Sequence, residues 1–368
     1  MNILITGSNG FLGRNLSVHL SERKDVKVDE FIRGQSDFDL QAKVKRADFI
    51  FHLAGVNRPV DPAEFQQGNT DLTRKLAGFV SSSGGKKRII YTSSIQASLP
   101  NPYGESKRQA EEILTALAAE GDAEVSIFRL PNVFGKWSRP NYNSVVATFC
   151  HNISRGIPIK INDPEARVDL VYVDDVVSCF LEILDGARPA SLNQKVDPEY
   201  SVSVVELAEI IRGFVDVRDS LIVERVGDGL LRALYATYVS FLPAKEFSYK
   251  LPSYKDERGV FVEMLKTRDS GQFSFFTAQP GVTRGGHYHH TKSEKFLVLK
   301  GKARFRFRHI VSDDEYELCT SGENPEVVET VPGWTHDITN IGEDVLYVML
   351  WANENFDREK PDTYACPL

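Results

Sequence analysis

The sequence predicts two domains of different class: a doubly wound parallel α/β domain over residues 1–243, followed by an all-β domain over residues 244–368. Three observations lead to this prediction. The length of 368 residues suits about two domains. Buried strands alternate with amphipathic helices from the first residues onward, which is typical of α/β folds. Near residue 244 the helical periodicity gives way to short strands separated by glycine and proline, which is typical of all-β folds.

The composition narrows the classes of function. With 42% hydrophobic residues the chain can bury two cores. Its net charge of −7, without a block of lysine or arginine, argues against binding to nucleic acid or to an anionic membrane. No apolar run reaches the roughly 18 residues needed for membrane insertion, and the first residues lack the basic region of a signal peptide. The four cysteines are far apart, so we expect reduced thiols and a cytoplasmic protein.

The first strand and helix are joined by a glycine-rich turn. Residues 1–6 have the pattern of a buried strand, and Gly7, Gly10 and Gly13 lead from it into an amphipathic helix. Glycines at this spacing let the backbone approach a pyrophosphate, which accepts hydrogen bonds from the free N–H groups of the helix. The sequence therefore predicts a dinucleotide site formed by Gly7, Asn9, Gly10, Phe11, Leu12 and Gly13. A purely structural glycine turn is the alternative.

The second strand, over residues 26–32, ends at Arg33. In NAD-binding enzymes the tip of this strand usually presents a carboxylate to the adenosine ribose, whereas an arginine suits the additional 2′-phosphate of NADP. Arg33 therefore favours NADPH as the cofactor, and a solvated loop arginine is the alternative.

The following elements continue the alternation of strands and helices. Residues 47–55 predict a third buried strand, Asn69 is expected to open the next helix, and residues 88–94 predict a fourth strand. The remaining predicted elements of this domain are a strand over 126–130, a helix beginning at 141–144 and a final helix over 201–215.

The fourth strand ends on hydroxyl groups, and ligands bind at that end of a parallel sheet. The helix that follows carries Tyr103 and Lys107, which are four residues apart and therefore share one face. A free tyrosine, with a pKa of about 10, is a weak acid–base catalyst at neutral pH, and a neighbouring ammonium would favour its phenolate. We therefore predict a catalytic set of Ser94, Tyr103 and Lys107. In this set Ser94 hydrogen-bonds the substrate oxygen, and Thr92 or Ser93 are alternatives to it.

The glycine spacing and the Tyr-x-x-x-Lys pair together resemble the extended short-chain dehydrogenase/reductase family. The resemblance implies a Rossmann-like domain that binds a nicotinamide cofactor and a nucleotide sugar. The further cofactor contacts that it implies are Leu53, Ala54, Gly55, Tyr103, Lys107 and Asn132. The sugar-nucleotide ligands that it implies are Ser94, Asn132, Asn143 and Arg167. Arg167 would bind the diphosphate, and a surface ion pair is the alternative. The spacing of nine residues from Ser94 to Tyr103 is shorter than in the family, which predicts a more open sugar pocket.

The all-β region contains two segments with histidines. His287 and His289 alternate along a strand, so their side chains point to the same side, and Glu294 can return to them after a turn. His336 comes from a distant strand. Three imidazoles and one carboxylate, with coordination positions left open, describe a site for a divalent transition metal. His290 is expected to face away from this site.

The segment G-x5-H-x-H-x4-E-x6-G, from Gly281 to Gly301, and the segment around His336 resemble the cupin family. The resemblance implies a jelly-roll domain with a divalent metal. Zinc is the first expectation, and nickel, iron and manganese are alternatives, as is a metal-free cupin whose histidines are catalytic or structural. Residues 256–263 resemble the beginning of sugar-nucleotide 3,5-epimerases, which implies that Arg258 serves the nucleotide diphosphate.

A nucleotide-sugar reductase joined to an epimerase-like cupin resembles the bifunctional enzymes of capsular polysaccharide synthesis. The resemblance implies that the cupin inverts C3 of a UDP-4-keto-6-deoxy-N-acetylhexosamine. The first domain would then reduce C4 with NADPH to give UDP-2-acetamido-2,6-dideoxy-L-talose, a precursor of UDP-N-acetyl-L-fucosamine. We also expect a homodimer or higher homo-oligomer.

Three alternatives to this function remain. The first domain could be a redox-neutral NAD(P)-dependent epimerase or dehydratase, and the cupin could bind sugar without catalysis. A cupin dioxygenase is a weaker alternative. The sequence does not identify the epimerase base.

Overall fold

The computed structural model describes all 368 residues and divides the chain into two compact units. The first unit comprises Met1–Arg212 and Asp228–Pro243, and the second comprises Gly213–Gly227 and Ala244–Leu368. The break before Ala244 falls where the sequence changes from a helical to a strand pattern. Within the second unit, the backbone N–H of Val223, in the segment Gly213–Gly227, donates a hydrogen bond of 2.8 Å to the carbonyl oxygen of Lys266.

The first unit is built on a five-stranded parallel sheet in the order β2-β1-β3-β4-β5. Its strands are β1 (Asn2–Thr6), β2 (Lys27–Phe31), β3 (Phe49–His52), β4 (Lys87–Ser94) and β5 (Ala123–Leu130). Its first helices are α1 (Phe11–Ser21), α2 (Asp37–Arg46), α3 (Ala63–Phe65), α4 (Leu72–Ser82) and α5 (Pro102–Ala119). The winding direction reverses between β1 and β3, so the predicted doubly wound fold is confirmed, and ligands of such sheets bind at this point.

The rest of the first unit forms a lobe around a three-stranded sheet in the order β6-β7-β8. Its strands are β6 (Asn132–Phe134), β7 (Arg167–Tyr172) and β8 (Tyr200–Ser203). The remaining helices are α6 (Val145–Ile153), α7 (Val173–Leu184), α8 (Val204–Ser220) and α9 (Gly229–Ser240). The part of α8 from Gly213 onward belongs to the second unit. Helix α9 is absent from the sequence-based prediction.

The central strands β1 and β3 of the five-stranded sheet are buried on both faces because they are mainly apolar. Ile3 and Ile5 pack on one face against Leu16 of α1 and Phe180 of α7. Leu4 points to the opposite face and packs in the cluster that includes helices α2, α4 and α5. Successive residues of a strand point to opposite faces, so a continuous apolar run is what a sheet covered on both sides requires.

The prediction that Asn69 opens a helix is wrong. The helical segment begins in α3, passes through a π-helical turn over Gln66–Asp71 and continues as α4. Asn69 therefore lies inside the segment, where it is buried. Its side chain hydrogen-bonds the backbone of Val56 instead of capping a helix.

The helix predicted over 201–215 begins three residues later, at Val204. The preceding residues Tyr200–Ser203 pair with β7 as β8. The hydroxyl of Ser203 accepts a hydrogen bond of 3.1 Å from the backbone N–H of Glu206, which is the geometry of a helix cap.

The second unit consists of two antiparallel sheets. Its strands are β9 (Ser253–Asp256), β10 (Gly259–Lys266), β11 (Gln272–Ala278), β12 (Thr283–Tyr288), β13 (Glu294–Lys300), β14 (Lys302–His309), β15 (Glu315–Ser321), β16 (Val327–Thr330), β17 (Trp334–Asn340), β18 (Leu346–Ala352) and β19 (Tyr364–Ala365). One sheet has the order β16-β13-β18-β11-β10-β9 and the other β15-β14-β17-β12-β19. Inward-facing residues of both sheets, such as Phe296 of β13 and Ile338 of β17, form one core. The predicted all-β jelly-roll class is confirmed.

Two further properties can be read directly from the structure. No helix combines the length and the apolarity that are needed to cross a membrane. The four cysteines form no disulfide bond; two are buried, one is half-buried and one is exposed.

Phe180 provides a test of the two-sided burial of the sheet. Its ring is fully buried and packs 5.0 Å from the ring of Phe128 and 6.0 Å from the ring of Phe51. We expect Phe180→Ala to lower the free energy of unfolding of the first unit by about 3–5 kcal/mol, because it leaves a cavity in the core. Denaturant titration measures this change. Phe38→Ala is the control, since Phe38 is 77% exposed, and an equal loss in both variants would contradict the assignment.

Candidate functional site

A cleft of about 420 Å³ lies at the carboxyl ends of the parallel strands. Twelve of the residues predicted from the sequence line it, namely Gly7, Gly10, Phe11, Leu12, Gly13, Leu53, Gly55, Ser94, Tyr103, Lys107, Asn132 and Asn143. These residues come from the turn after β1 and the first turn of α1, the loop after β3, the last residue of β4, the first two turns of α5, the first residue of β6 and the segment before α6. The cleft therefore joins the glycine-rich turn, the Tyr–Lys pair and the hydroxyl at the end of β4 in one place.

At the glycine-rich turn, backbone segments approach one another so closely that no Cβ atom would fit between them. Gly7 has φ +75°, and a Cβ atom on it would lie 2.7 Å from Cα of Ala54. A Cβ atom on Gly13 would lie 2.3 Å from the carbonyl oxygen of Gly7. Helix α1 begins directly after Gly10, and its first turn contains no acidic residue. The free N–H groups of this turn can therefore donate hydrogen bonds to the oxygens of a phosphate.

His52 holds the loop after β3 in place. The side-chain oxygen of Thr6 lies 2.7 Å from Nδ1 of His52, and that of Thr73 lies 2.8 Å from Nε2. The Thr73 hydroxyl donates to the carbonyl oxygen of Asn69, so it accepts from Nε2–H of His52. This assigns the neutral Nε2–H tautomer, and burial lowers the pKa of His52 to about 3. The Thr6 hydroxyl then donates to Nδ1 and accepts a hydrogen bond from the backbone N–H of Ala54. These hydrogen bonds connect His52 to the loop at the edge of the cleft.

Asn69 connects the same loop to helix α5. Its side chain accepts from the backbone N–H of Val56 at 2.8 Å and donates to the carbonyl oxygen of Val56 at 3.0 Å and to the hydroxyl of Ser106 at 2.9 Å. A Cβ atom on Gly55 would lie 3.1 Å from both the Asn69 side-chain oxygen and Nζ of Lys107. This role of Asn69 is absent from the sequence-based prediction, because an asparagine before an apolar helix has the pattern of a cap.

Tyr103 lies in the first turn of α5. The side chain of Asn101 accepts from the backbone N–H of Gly104 at 2.8 Å and so caps the helix. Burial raises the pKa of Tyr103 above its ordinary value, while a hydrogen bond with the Ser94 hydroxyl opposes that shift. Ser94 and Tyr103 both line the cleft, whereas the hydroxyl of Ser93 is buried without a partner.

Lys107 is a buried cation beneath the cleft. Its side chain is 5% exposed, and Nζ donates to the carbonyl oxygen of Thr92 at 2.9 Å and lies 5.0 Å from the centre of the Tyr91 ring. Burial lowers the pKa of Lys107 to about 8, and the carboxylate of Glu111 opposes this effect. The expected lowering of the Tyr103 pKa by Lys107 is not seen, because burial of the phenol outweighs other influences.

The cleft also contains polar residues that the sequence analysis did not name. The hydroxyl of Tyr142 donates to the side-chain oxygen of Asn57 at 2.9 Å, and the guanidinium of Arg139 lies 5.0 Å from the centre of the Tyr142 ring. All three residues line the cleft. They follow no motif, so only the fold brings them together beside Asn143.

Four residues predicted from the sequence do not line the cleft. Asn9 is exposed on the glycine-rich turn, and Ala54 packs against Gly7. The side chain of Arg33 is 82% exposed and its guanidinium lies 3.8 Å from the Glu64 carboxylate. Arg167 begins β7, where its guanidinium donates to the carbonyl oxygen of Ser201 at 2.9 Å.

A second candidate site lies in the second unit. The ligand atoms of its four residues lie within 4.8 Å of one another, and the residues are His287, His289, Glu294 and His336. Three of these residues are buried and His287 is half-buried. The structure therefore brings together all four predicted metal ligands, from β12, β13 and β17 and the turn after β12.

A bulge in β12 aims His287 at the site. The pairing of β12 with β17 shifts between Gly285 and His287, so that His287 lies opposite His336. Gly285 and Gly286 have φ values of +98° and +77°, and a Cβ atom on Gly285 would lie 2.8 Å from the carbonyl oxygen of His336. Bulges of this kind redirect side chains next to functional sites.

The donor set fits a divalent transition metal. One carboxylate oxygen of Glu294 lies 3.2 Å from Nε2 of His289 and 3.4 Å from Nε2 of His336. Burial opposes ionisation of Glu294, but hydrogen bonds from His289 and His336 and the charge of Lys292 outweigh it and lower its pKa. Burial and the neighbouring His336 lower the pKa of His287 to about 4. An ionised carboxylate beside three imidazoles is a donor set that binds such a metal, which takes the place of the protons on the ligating nitrogens.

The other predicted residues of this unit lie outside the cluster. His290 is exposed and its ring packs edge-on against Tyr364. Arg258 is exposed and pairs with the carboxylate of Asp256. His309 packs against Trp334 and has no contact with the four clustered residues.

Comparison with known families gives two matches. Residues 3–194 match the NAD dependent epimerase/dehydratase family. Residues 254–364 match the Polysaccharide biosynthesis C-terminal domain.

Two known proteins are similar over the whole chain, and a third is similar over part of it. A UDP-2-acetamido-2,6-beta-L-arabino-hexul-4-ose reductase of Pseudomonas aeruginosa is 60% identical over 100% of this chain and 99% of its own length. The crystal structure of the capsular polysaccharide assembling protein CapF from Staphylococcus aureus has a TM-score of 0.92 and 40% identity, with 100% of both chains covered. A UDP-glucose 4-epimerase of Vibrio cholerae is 27% identical over 56% of this chain and 73% of its own length.

Proposed function

The chain belongs to the NAD dependent epimerase/dehydratase family, and we propose that it is a nucleotide-sugar reductase. Its residues 254–364 match the Polysaccharide biosynthesis C-terminal domain, and it is similar over its full length to the capsular polysaccharide assembling protein CapF. The substrate is a UDP-4-keto-6-deoxy-N-acetylhexosamine, and the product is UDP-2-acetamido-2,6-dideoxy-L-talose. The observation that carries this proposal is the cleft in which the glycine-rich turn meets Ser94, Tyr103 and Lys107. The similarity over both units to a relative named as a 4-keto-sugar reductase supports it.

The reduction needs a hydride at C4 and a proton at O4. NADPH supplies the hydride when bound in the cleft. Ser94 donates a hydrogen bond to the C4 oxygen, and Tyr103 gives that oxygen its proton, since both side chains line the cleft. Lys107 lies one helical turn from Tyr103 and is mainly protonated at neutral pH, because its pKa is about 8. Its ammonium would donate a hydrogen bond to the nicotinamide ribose of the bound cofactor.

We further propose that the second unit inverts C3 of the same keto sugar before reduction. The C4 ketone acidifies the hydrogen on C3, and a divalent metal, with zinc as the first candidate, would stabilise the negative charge that develops when that hydrogen leaves as a proton. His287, His289, Glu294 and His336 would hold the metal. Reduction then removes the ketone, so the inverted centre can no longer exchange.

A redox-neutral epimerase is the second candidate. The similarity of the first unit to a UDP-glucose 4-epimerase favours it. Such an enzyme keeps its cofactor bound and returns it unchanged, whereas a reductase consumes one NADPH for each sugar.

One experiment separates these functions. The keto sugar is incubated with the full chain in D2O, with and without NADPH, and the products are examined by NMR and mass spectrometry. We expect deuterium at C3 in both reactions and the reduced sugar only with NADPH. Product formation without NADPH consumption would favour the redox-neutral candidate. Reduction without deuterium at C3 would favour a second unit that binds sugar without catalysis.

Tyr103→Phe tests the proton donor. It removes the phenolic hydroxyl but keeps the ring, so NADPH oxidation in the presence of the keto sugar should fall roughly 100-fold or more, which is the usual effect of losing a general acid. NADPH binding, measured by fluorescence, should persist. Tyr316→Phe is the control, since Tyr316 is 59% exposed in the second unit. A Tyr103→Phe enzyme with normal turnover would rule out this role.

Arg33→Ala tests the preference for NADPH. A guanidinium bonded to the 2′-phosphate serves NADPH alone, so NADPH affinity should fall about 10- to 100-fold and NADH affinity should stay unchanged. Titration of the two cofactors measures both values. Arg46→Ala is the control, because Arg46 is also exposed and pairs with Asp29 of β2. Equal losses for both cofactors, or no loss, would mean that Arg33 is a solvated loop residue.

His287→Ala combined with His336→Ala tests the metal centre. The wild-type chain should bind about one divalent ion, and the double variant should bind none, because two remaining ligands cannot hold the ion as four do. Metal analysis of both proteins decides this, and NADPH binding checks the first unit. His290→Ala, which changes an exposed histidine outside the cluster, should keep its metal. Full occupancy in the double variant would show that the metal lies elsewhere.

A further inference from the structure

Residues 362–367, called the strap here, run along the strand that carries His287. Within the strap, β19 pairs antiparallel with β12, so that Ala365 lies opposite His287 and Tyr364 lies opposite Tyr288. The backbone N–H of Cys366 donates to the carbonyl oxygen of Gly286 at 2.8 Å. The strap therefore covers the free edge of β12 along the metal-ligand segment.

The backbone of Asp362 fixes the orientation of His289. Nδ1 of His289 lies 2.5 Å from the carbonyl oxygen of Asp362. A carbonyl oxygen accepts hydrogen bonds and cannot donate them, so Nδ1 carries the proton. Nε2 is then the atom left for a metal, and it faces the Glu294 carboxylate at 3.2 Å. Hydrogen bonds of this kind set the tautomer and the direction of a metal-binding histidine.

The carboxylate of Asp362 fixes the turn between the ligand-bearing strands. One carboxylate oxygen accepts from the backbone N–H of His290 at 2.9 Å. The other accepts from the N–H groups of Thr291 and Lys292, at 2.7 and 2.8 Å, and from the Thr291 hydroxyl at 3.0 Å. The ammonium of Lys292 in turn lies 3.0 Å from the Glu294 carboxylate. Asp362 is thus bonded directly to His289 through its carbonyl oxygen and is linked to Glu294 through Lys292.

The far end of the strap is fixed beside the fourth ligand. The hydroxyl of Thr335, next to His336, donates to the carbonyl oxygen of Cys366. The guanidinium of Arg308 donates to the carbonyl oxygen of Pro367 at 3.2 Å. The strap is therefore anchored to both segments that supply histidines.

We propose that the strap is a positioning element of the metal centre, and that Asp362 sets the affinity for the metal without contacting it. This inference rests on the metal site proposed above. Without the carboxylate, the turn over residues 290–292 loses its four hydrogen bonds, and the Asp362 carbonyl oxygen loses its fixed place beside His289. The ligands would then have to be ordered when the metal binds, which weakens binding.

Asp362→Asn is the sharpest test. It keeps the size of the side chain, but its NH2 group cannot accept hydrogen bonds from N–H donors, so at least one donor of the turn loses its partner. We expect the affinity of the full chain for zinc to fall about 10- to 100-fold, the usual range for residues that support metal ligands. Competition with a chromophoric chelator measures it. The visible spectrum of the cobalt-loaded chain should also change, because it reports the geometry of the ligands.

Asp357→Asn is the matched control. Asp357 lies five residues before Asp362, and its carboxylate also accepts a hydrogen bond from a backbone N–H, that of Glu359 at 2.8 Å. It does not contact the four metal ligands or the turn over residues 290–292. Zinc affinity should be unchanged in this variant. Thr335→Val is a second test, because it removes the hydroxyl that holds Cys366 and leaves Asp362 intact. It should weaken zinc binding in the same direction.

The outcomes distinguish the strap from the metal site itself. If the wild-type chain binds no zinc, the proposed metal site is wrong. If the wild-type chain and the Asp362→Asn chain bind zinc equally, the strap proposal is overturned. Thermal unfolding in EDTA compares the stability of the metal-free variant with that of the metal-free wild-type chain. A variant that loses zinc affinity but keeps the wild-type melting temperature in EDTA supports positioning. A variant that melts earlier in EDTA and still binds zinc with wild-type affinity would make Asp362 a stabilising residue only.

Discussion

Burial of the parallel sheet on both faces is the constraint on which the first unit depends. Helices cover both faces, so polar groups can meet a ligand only where the strands end. The glycine-rich turn, the loop at Gly55 and the hydroxyl of Ser94 all follow carboxyl ends of strands, and they therefore meet at one edge. The same burial leaves His52 inside the sheet, where threonine hydroxyls satisfy both of its nitrogens and fix the loop beside the cleft.

In the second unit, the apolar surface is buried between two facing sheets. Glu294 and Phe296 share the inward face of β13, and His336 and Ile338 share that of β17, so the metal ligands are the polar ends of otherwise apolar rows. A buried carboxylate needs partners because desolvation is costly. Glu294 has two imidazoles and the ammonium of Lys292 as partners. These contacts keep it ionised, which is the state that binds a metal.

Both sites depend on groups that do not touch the proposed substrate. Asn69 orders the floor of the first cleft, and Asp362 orders the turn beside the metal ligands. Each of these side chains satisfies backbone groups at more than one position, so it restricts the loops without adding a reacting atom. Precise geometry at a site requires this kind of support, because a catalytic group that is free to move loses much of its effect.

The sequence by itself determined the fold classes and predicted which motifs carry candidate site residues, because each of these follows from local spacing. Strand and helix periods fix which side chains share a face, and the glycine, Tyr–Lys and His-x-His motifs extend over only a few residues each. The tertiary structure alone decided what joins segments distant in sequence. It placed Arg139 beside Tyr142 and Asn57 in the cleft and left Arg33 and Arg167 outside it. It put Asn69 in the interior of a helical segment, where the sequence predicts a helix start. It also placed the carbonyl oxygen of Asp362 against His289. Such contacts depend on the packing of whole elements against one another, and no local pattern encodes it.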